Sequence, residues 1–270
     1  MRGEKQPISA TEEGTLAFRR RFVGKVAPEH FRTFRGLHLS SIGLGTYLGN
    51  HDAETDRLYR EAIVKAVRLG LNVIDTAINY RCQRSERVIG EALSTLFKEG
   101  EVSRGEVIVA TKGGFISFDG SPPLNPSAYL RETYVRPGVV QPEEVVAGCH
   151  CLSPRYIRDQ LQRSLQNLGL EAIDIYYLHN PETQLEEVSR KEFHRRMRAA
   201  FEALEEAVSL GKIRMYGTAT WNGYRQDPRA QDYLSLKELV DLAKEVAGEA
   251  HHFQAVQLPY HLAMVEALAL

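Results

Sequence analysis

The 270-residue chain has little cysteine, no surplus of either charge and no long apolar run. Its three Cys cannot all pair, and Cys149 and Cys151 are almost adjacent. A disulfide scaffold is therefore not expected, and a reducing cytoplasm is the default compartment. Lys+Arg number 34 against 35 Asp+Glu, a formal charge of −1. The basic excess that a nucleic-acid-binding surface needs is absent. Nothing approaches the ~18 consecutive apolar residues of a transmembrane helix. The polar start, MRGEKQPISATEEG, lacks the apolar core of a secretory signal. With 43% apolar and 26% charged residues, global disorder is excluded as well. The length fits one α/β barrel or two smaller domains.

What is present is an alternation of short β-branched runs with longer stretches at helical spacing. Six strands are predicted: Leu39–Thr46, Asn72–Ala77, Val107–Lys112, Ile173–His179, Ile213–Thr218 and Phe253–Gln257. Between them, apolar residues recur on one helical face, as in Leu58, Ala62, Ile63, Ala66 and Val67 after the first strand. Ser153-Pro154 reads as a cap with proline at the first helical position, and Ser235–Glu238 as a capping box. Six strand–helix repeats imply a parallel sheet with crossover helices. A doubly wound sheet and a (β/α)8 barrel are the two folds that satisfy this. Gly43-Leu44-Gly45 is not followed by the third glycine of a dinucleotide fingerprint, which weakens the doubly wound reading.

Two segments break the rhythm. Residues 17–38 read as a basic hairpin, Phe18–Phe22 followed by Phe31–Phe34, covering one end of the sheet. Residues 113–150 form a long insertion rich in Gly and Pro, of the length typical of lids and binding loops. It follows a strand end on the side where parallel α/β folds bind ligands.

Asp75, Tyr80, Lys112 and His179 stand at or just past the carboxyl ends of predicted strands. In a barrel those ends face one mouth. Each residue alone has a plainer explanation: a helix cap, a solvated ammonium, a structural imidazole. Together they are chemically coherent. A phenol titrates near ~10, too high for efficient proton exchange at neutral pH. An ammonium at ~4 Å and an effective dielectric of ~20 stabilises the phenolate by about 4 kcal/mol before desolvation, or roughly three pKa units. A carboxylate keeps that ammonium charged. An imidazole donor orients a carbonyl and stabilises charge developing on its oxygen. The set can polarise and protonate a carbonyl, but no side chain supplies a hydride, so a nicotinamide cofactor is implied.

Asn72–Tyr80, with Ser85-Glu86 and Ile89-Gly90 after it, resembles the signature segment of the aldo-keto reductases. Ala110-Thr111-Lys112, Tyr177–Pro181, Gly43–Thr46 and Gly211–Gly217 resemble further segments of that family, in the same order. The resemblance runs from about residue 39 to the last residue. It implies a (β/α)8 barrel and NADPH-dependent reduction of a small aldehyde or ketone, with NADH not excluded. By that analogy Tyr80 is the general acid, Lys112 lowers its pKa, Asp75 pairs with Lys112, and His179 orients the carbonyl. Thr46, Tyr47 and Asp75 would lie near the cofactor ribose and nicotinamide, and Gln257 would bind the carboxamide. Thr220 stands where the family pattern has an amide side chain, and Ala219 where it has a serine. Trp221, the only Trp, and Tyr47 are expected to line the substrate pocket.

A second departure is larger: about six of the eight barrel strands are contained in the chain, and strands seven and eight are expected to be missing. Three explanations compete: an incomplete portion of a longer product, completion by a partner chain, or a different closure. The first is preferred, because nothing upstream is adapted to an open edge. Cys149-His150-Cys151 is too tightly spaced for a typical zinc site, so a structural role is expected and no metal is called for. The leading reading is a reductase made of a single barrel domain. A non-catalytic nicotinamide-binding or channel-accessory subunit is the alternative, and an unrelated barrel isomerase is a weaker third. Substrate identity and oligomeric state, a homo-oligomer included, stay open.

Overall fold

The computed structural model describes residues 7–269. The first six residues of the polar start and the last residue of the apolar C-terminal segment lie outside them. The chain forms two compact units: one runs to Thr111 and adds Asp119–Ser121 and Arg163–Asp174; the other holds Lys112–Phe118, Pro122–Gln162 and the chain from Ile175 on.

The first unit opens with α1 (Glu12–Arg20). Thr11 caps it by accepting from the Gly14 N–H, and Glu12, Glu13, Arg19 and Arg20 complement the helix dipole. Gly14 is needed for contact: a Cβ there would stand 2.4 Å from the Gly105 carbonyl oxygen. The hairpin expected over 17–38 is thus displaced. Phe18 is the buried face of a helix, a pattern that Phe and Arg in alternation can satisfy at either period. The hairpin is β1 (Phe31–Phe34) with β2 (Leu37–Ser40), turned at Arg35 and Gly36. The strand expected over 39–46 also divides. Its first two residues end β2, and only β3 (Leu44–Gly45) joins the main sheet. Reciprocal bonds make the corner: the Ser40 N–H donates to Asn72 Oδ1 at 2.8 Å, and the Asn72 N–H to Ser40 Oγ at 3.0 Å.

Next come α2 (Ala53–Arg68), capped by Asp52, β4 (Val73–Asp75), α3 (Arg84–Lys98) and β5 (Ile108–Gly113), whose six residues are all buried. Asp174 ties this unit together. Its carboxylate accepts from the Ala10 N–H at 2.7 Å, Arg104 Nη2 at 2.7 Å and the Val109 N–H at 2.8 Å.

The second unit contains the 113–150 segment apart from Asp119–Ser121, and there the segment is built rather than open. It holds α4 (Pro126–Leu130), a π-helical turn over Arg131–Val135 and a core of Ile116, Tyr134, Val140, Cys151 and Tyr156. Tyr134 donates to the Ser117 carbonyl and Tyr156 to that of Phe115, both at 2.7 Å. The remaining elements are α5 (Pro154–Leu168), β6 (Ile173–His179), α6 (Arg190–Ser209), β7 (Ile213–Ala219), α7 (Leu236–Ala247), β8 (Phe253–Gln257) and α8 (Glu266–Ala269). The three Cys are free.

The main sheet has six strands in the order β3-β4-β5-β6-β7-β8, and the pairs β3–β4, β4–β5 and β7–β8 are parallel. The order never reverses, as it would in a doubly wound sheet. Each sequential strand beside its predecessor, with a helix between most of them, is the winding of a (β/α)8 barrel, here with six strands. No helix among the described residues is long and apolar enough to cross a membrane.

Candidate active site

In the first unit, Asp75 ends β4, in register with Gly45 on one side and Ala110 on the other. Thr46, fully buried, donates from Oγ1 to the Asp75 carbonyl at 3.2 Å, and its own carbonyl accepts from Ser85 Oγ at 2.7 Å. Tyr47 follows and is 67% exposed; its ring meets that of Tyr80 edge to face at 5.0 Å. Thr46, Tyr47, Asp75 and Tyr80 are therefore one cluster.

The backbone after Tyr80 is unusual. Arg81, Cys82 and Gln83 all have positive φ, at 49°, 54° and 70°. Non-glycine residues there cost of order 1–3 kcal/mol each. Contacts hold the turn: buried Arg81 donates from Nε to the Asn50 carbonyl at 2.8 Å and from Nη2 to Asp56 at 2.6 Å. Its guanidinium lies over the Tyr59 ring. Burial, then the Asp75 carboxylate, then Tyr47 push the Tyr80 phenol upward. Tyr80 thus keeps its proton throughout the ordinary pH range.

The second unit presents Lys112 and His179. Lys112 is 1% exposed near the end of β5, two residues past Ala110. His179 ends β6. Burial first, then the charge of Lys112 and then His150 hold its imidazole well below the usual histidine range, so it is neutral. Phe115 packs edge to face on His179 and on His150, with centroids 5.1 and 5.0 Å away. His150 Nε2 donates to the His179 carbonyl at 2.7 Å, while its Nδ1 accepts from Gln184 Nε2 at 2.8 Å. Arg196 Nη1 on Gln184 Oε1 at 2.7 Å fixes the amide that way round, and hence the tautomer of His150.

Past β7, the Thr220 N–H donates to the Gln257 carbonyl at 2.9 Å, so these two expected cofactor residues are brought together. Thr220 Oγ1 is buried without a hydrogen-bond partner. Trp221 is 59% exposed, and its backbone N–H donates to Glu182 Oε1 at 3.0 Å.

Sequence reasoning passed over Glu182, Phe115 and Gln184, and gave His150 only a structural part. Each acts through a backbone group or a ring far away in sequence. The one local signal is an acid three residues past a strand-end His. Among the described residues, no group of three or more His, Cys, Asp or Glu is arranged to hold a metal ion.

A methylglyoxal reductase from Escherichia coli, described as NADH-specific, is 32% identical over 206 residues, 74% of this chain and 53% of that protein. A putative voltage-gated potassium channel subunit beta from Schizosaccharomyces pombe is 27% identical over 245 residues, 88% of this chain and 59% of that protein. The chain thus spans little more than half the length of these relatives. Among solved structures, a glycerol dehydrogenase from Gluconobacter oxydans matches with a TM-score of 0.55 at 21% identity, over 87% of this chain and 56% of the other. The holo form of an aldo-keto reductase from Bacillus halodurans matches with a TM-score of 0.54 at 21% identity, over 85% and 57%. The model of the Aldo/keto reductase family matches residues 41–262, and the chain belongs to that family.

Proposed function

We propose that the chain reduces a small aldehyde or ketone to its alcohol in the cytoplasm, with hydride from NADPH or NADH and a proton from Tyr80. The observation that carries this reading is the pairing of a wholly buried ammonium, Lys112, with a strand-end imidazole, His179, that its surroundings keep neutral. A buried cation is expensive and is retained where its charge has a use. A neutral imidazole donates a hydrogen bond to a carbonyl oxygen without surrendering a proton to it.

In this reading Tyr80 starts each cycle protonated. As the carbonyl carbon gains hydride, negative charge builds on its oxygen. The Tyr80 O–H transfers its proton there, leaving a phenolate that the charge of Lys112 offsets. Asp75 keeps Lys112 charged, and His179 fixes the carbonyl oxygen. The reduced nicotinamide, when bound, supplies the hydride. Thr46, Tyr47, Asp75, Thr220 and Gln257 would hold that cofactor. The residues fit it: the unsatisfied buried hydroxyl of Thr220 is a suitable partner for a carboxamide, and Gln257 adjoins it. Tyr47 and Trp221, both well exposed, would line the pocket for the carbonyl compound.

The test is NADPH and NADH oxidation with methylglyoxal and with an aromatic aldehyde, run beside Tyr80→Phe. Turnover should vanish in the variant while cofactor affinity is kept. Near-normal turnover in Tyr80→Phe would sink the mechanism. The likeness to the putative channel subunit favours a second reading, a nicotinamide-binding accessory subunit. Cofactor binding with no turnover of any carbonyl compound by the parent chain would select it.

A further inference from the structure

We propose that Glu182 is a positioning residue, whose buried carboxylate gathers three consecutive backbone N–H groups and so sets the loop that presents Trp221 to the substrate. The proposal rests on the reductase reading for its effect on substrate, but not for the clamp itself.

Glu182 lies in the short 3-10 turn Pro181–Glu186 just after His179 and is 6% exposed. Its Oε1 accepts from the N–H groups of Trp221 at 3.0 Å, Asn222 at 3.3 Å and Gly223 at 3.5 Å. Burial raises the carboxyl's pKa, and these backbone donors oppose that rise. Three successive amides turned onto one oxygen form an anion nest, filled here by a side chain of the same unit.

The rest of the loop is held to suit. The Trp221 carbonyl accepts from Arg225 Nη1 at 3.1 Å, and the Gly223 carbonyl accepts from the Leu234 N–H at 2.9 Å. A Cβ at Gly223 would stand 2.6 Å from Leu234 Cδ1, so any larger residue there would have to displace the buried Leu234 side chain. Tyr224 reaches back to the Thr218 hydroxyl on β7. What this framework displays is an indole left more than half exposed. One acid thus couples the segment after the β6 histidine to the loop after β7, where Thr220 and Trp221 stand.

Trp221 is the only Trp, so its fluorescence reports this loop alone. Acrylamide quenching should rise about 1.5-fold in Glu182→Leu, which has no acceptor, near the most that an indole already 59% exposed allows, and stay at the parent value in Glu182→Gln, whose amide oxygen replaces Oε1. With methylglyoxal and NADPH, Glu182→Leu should raise KM about tenfold with little change in kcat, and Glu182→Gln should restore it. In the parent chain itself, the Trp221, Asn222 and Gly223 amides should exchange slowly with solvent, whether or not Glu182→Leu folds. Fast exchange there, unchanged quenching in Glu182→Leu, or a Glu182→Gln that behaves like Glu182→Leu would each overturn the proposal. Absence of turnover in the parent chain would refute the reductase reading instead, and quenching and exchange would still decide the clamp.

Discussion

Acid should unlock the second unit through His150. Its imidazole is wholly enclosed, and burial pulls its pKa down from 6.5 to about 4. The donor role of Nε2 and the acceptor role of Nδ1 are both already taken, by the His179 carbonyl and the Gln184 amide. A second proton on Nδ1 would displace the Gln184 bond and bury a charge. The unfolded chain therefore binds a proton that the folded chain refuses between about pH 6.5 and 4, and stability falls as pH drops through that window. A shift of that size, at about 1.4 kcal/mol per unit, costs about 2.5 kcal/mol between pH ~7 and pH ~4.5. His179 adds in the same direction, because its pKa is also depressed. The two are separated by His150→Gln, which keeps a donor for the His179 carbonyl and does not titrate. Urea unfolding of both proteins at about pH 7 and about pH 4.5 measures the difference. The loss on acidification should be smaller in the variant by about 2 kcal/mol. Equal losses in the two proteins would refute the claim that a buried neutral His150 carries the effect.

The same reasoning gives three shorter predictions. Asp174→Ala strands the Arg104 guanidinium, 9% exposed, and two backbone N–H groups, so it should cost about 3–5 kcal/mol in denaturant unfolding, and a cost under ~1 kcal/mol would contradict the anchoring role. Gly217→Ala puts a Cβ 1.8 Å from the Ala255 carbonyl oxygen, so it should force β7 from β8 and lower the melting temperature by several degrees; a parent-like melt would contradict the close approach. On the proposed mechanism, Lys112→Met removes the charge that offsets the phenolate, so kcat should fall and the alkaline limb of the pH–rate profile should move to higher pH; an unchanged profile would count against the pairing.

Strands β6 and β8 have the bounds expected from sequence: β6 is dominated by Ile and Tyr, and Pro259 closes off β8. The helix after Ser235 was legible from its cap, which accepts from the Glu238 N–H, and the long helix before it from its apolar repeat, since its cap Ser189 was passed over. The N-terminal segment was not legible, since Phe18 and Phe22 are four residues apart on a helix as well as on one face of a strand. The corner at Ser40 was hidden too, because its cause, Asn72, lies 32 residues away. The proposed catalytic set could be drawn from sequence, as Asp75, Lys112 and His179 stand at or next to strand ends and Tyr80 follows in the turn after β4. His150 and Glu182 could not, for their partners are backbone atoms that become neighbours only on folding.

Burial alone does not mark the chemistry of this chain. Asp174, Glu86 and Glu182 are among its most buried carboxyl groups, yet each is met by dedicated donors. Asp174 has two backbone amides and Arg104; Glu86 has the Thr111 hydroxyl at 2.7 Å and the Asn167 amide at 2.9 Å; Glu182 has its three amides. Such acids fix geometry. Strand β6 shows the division within seven residues: Asp174, its second, faces N–H groups and a guanidinium, while His179, its last, ends at the carboxyl edge where barrel enzymes place their chemistry. Substituting Asp174 or Glu86 should therefore move stability first, and on the proposed mechanism substituting His179 or Tyr80 should move turnover before stability.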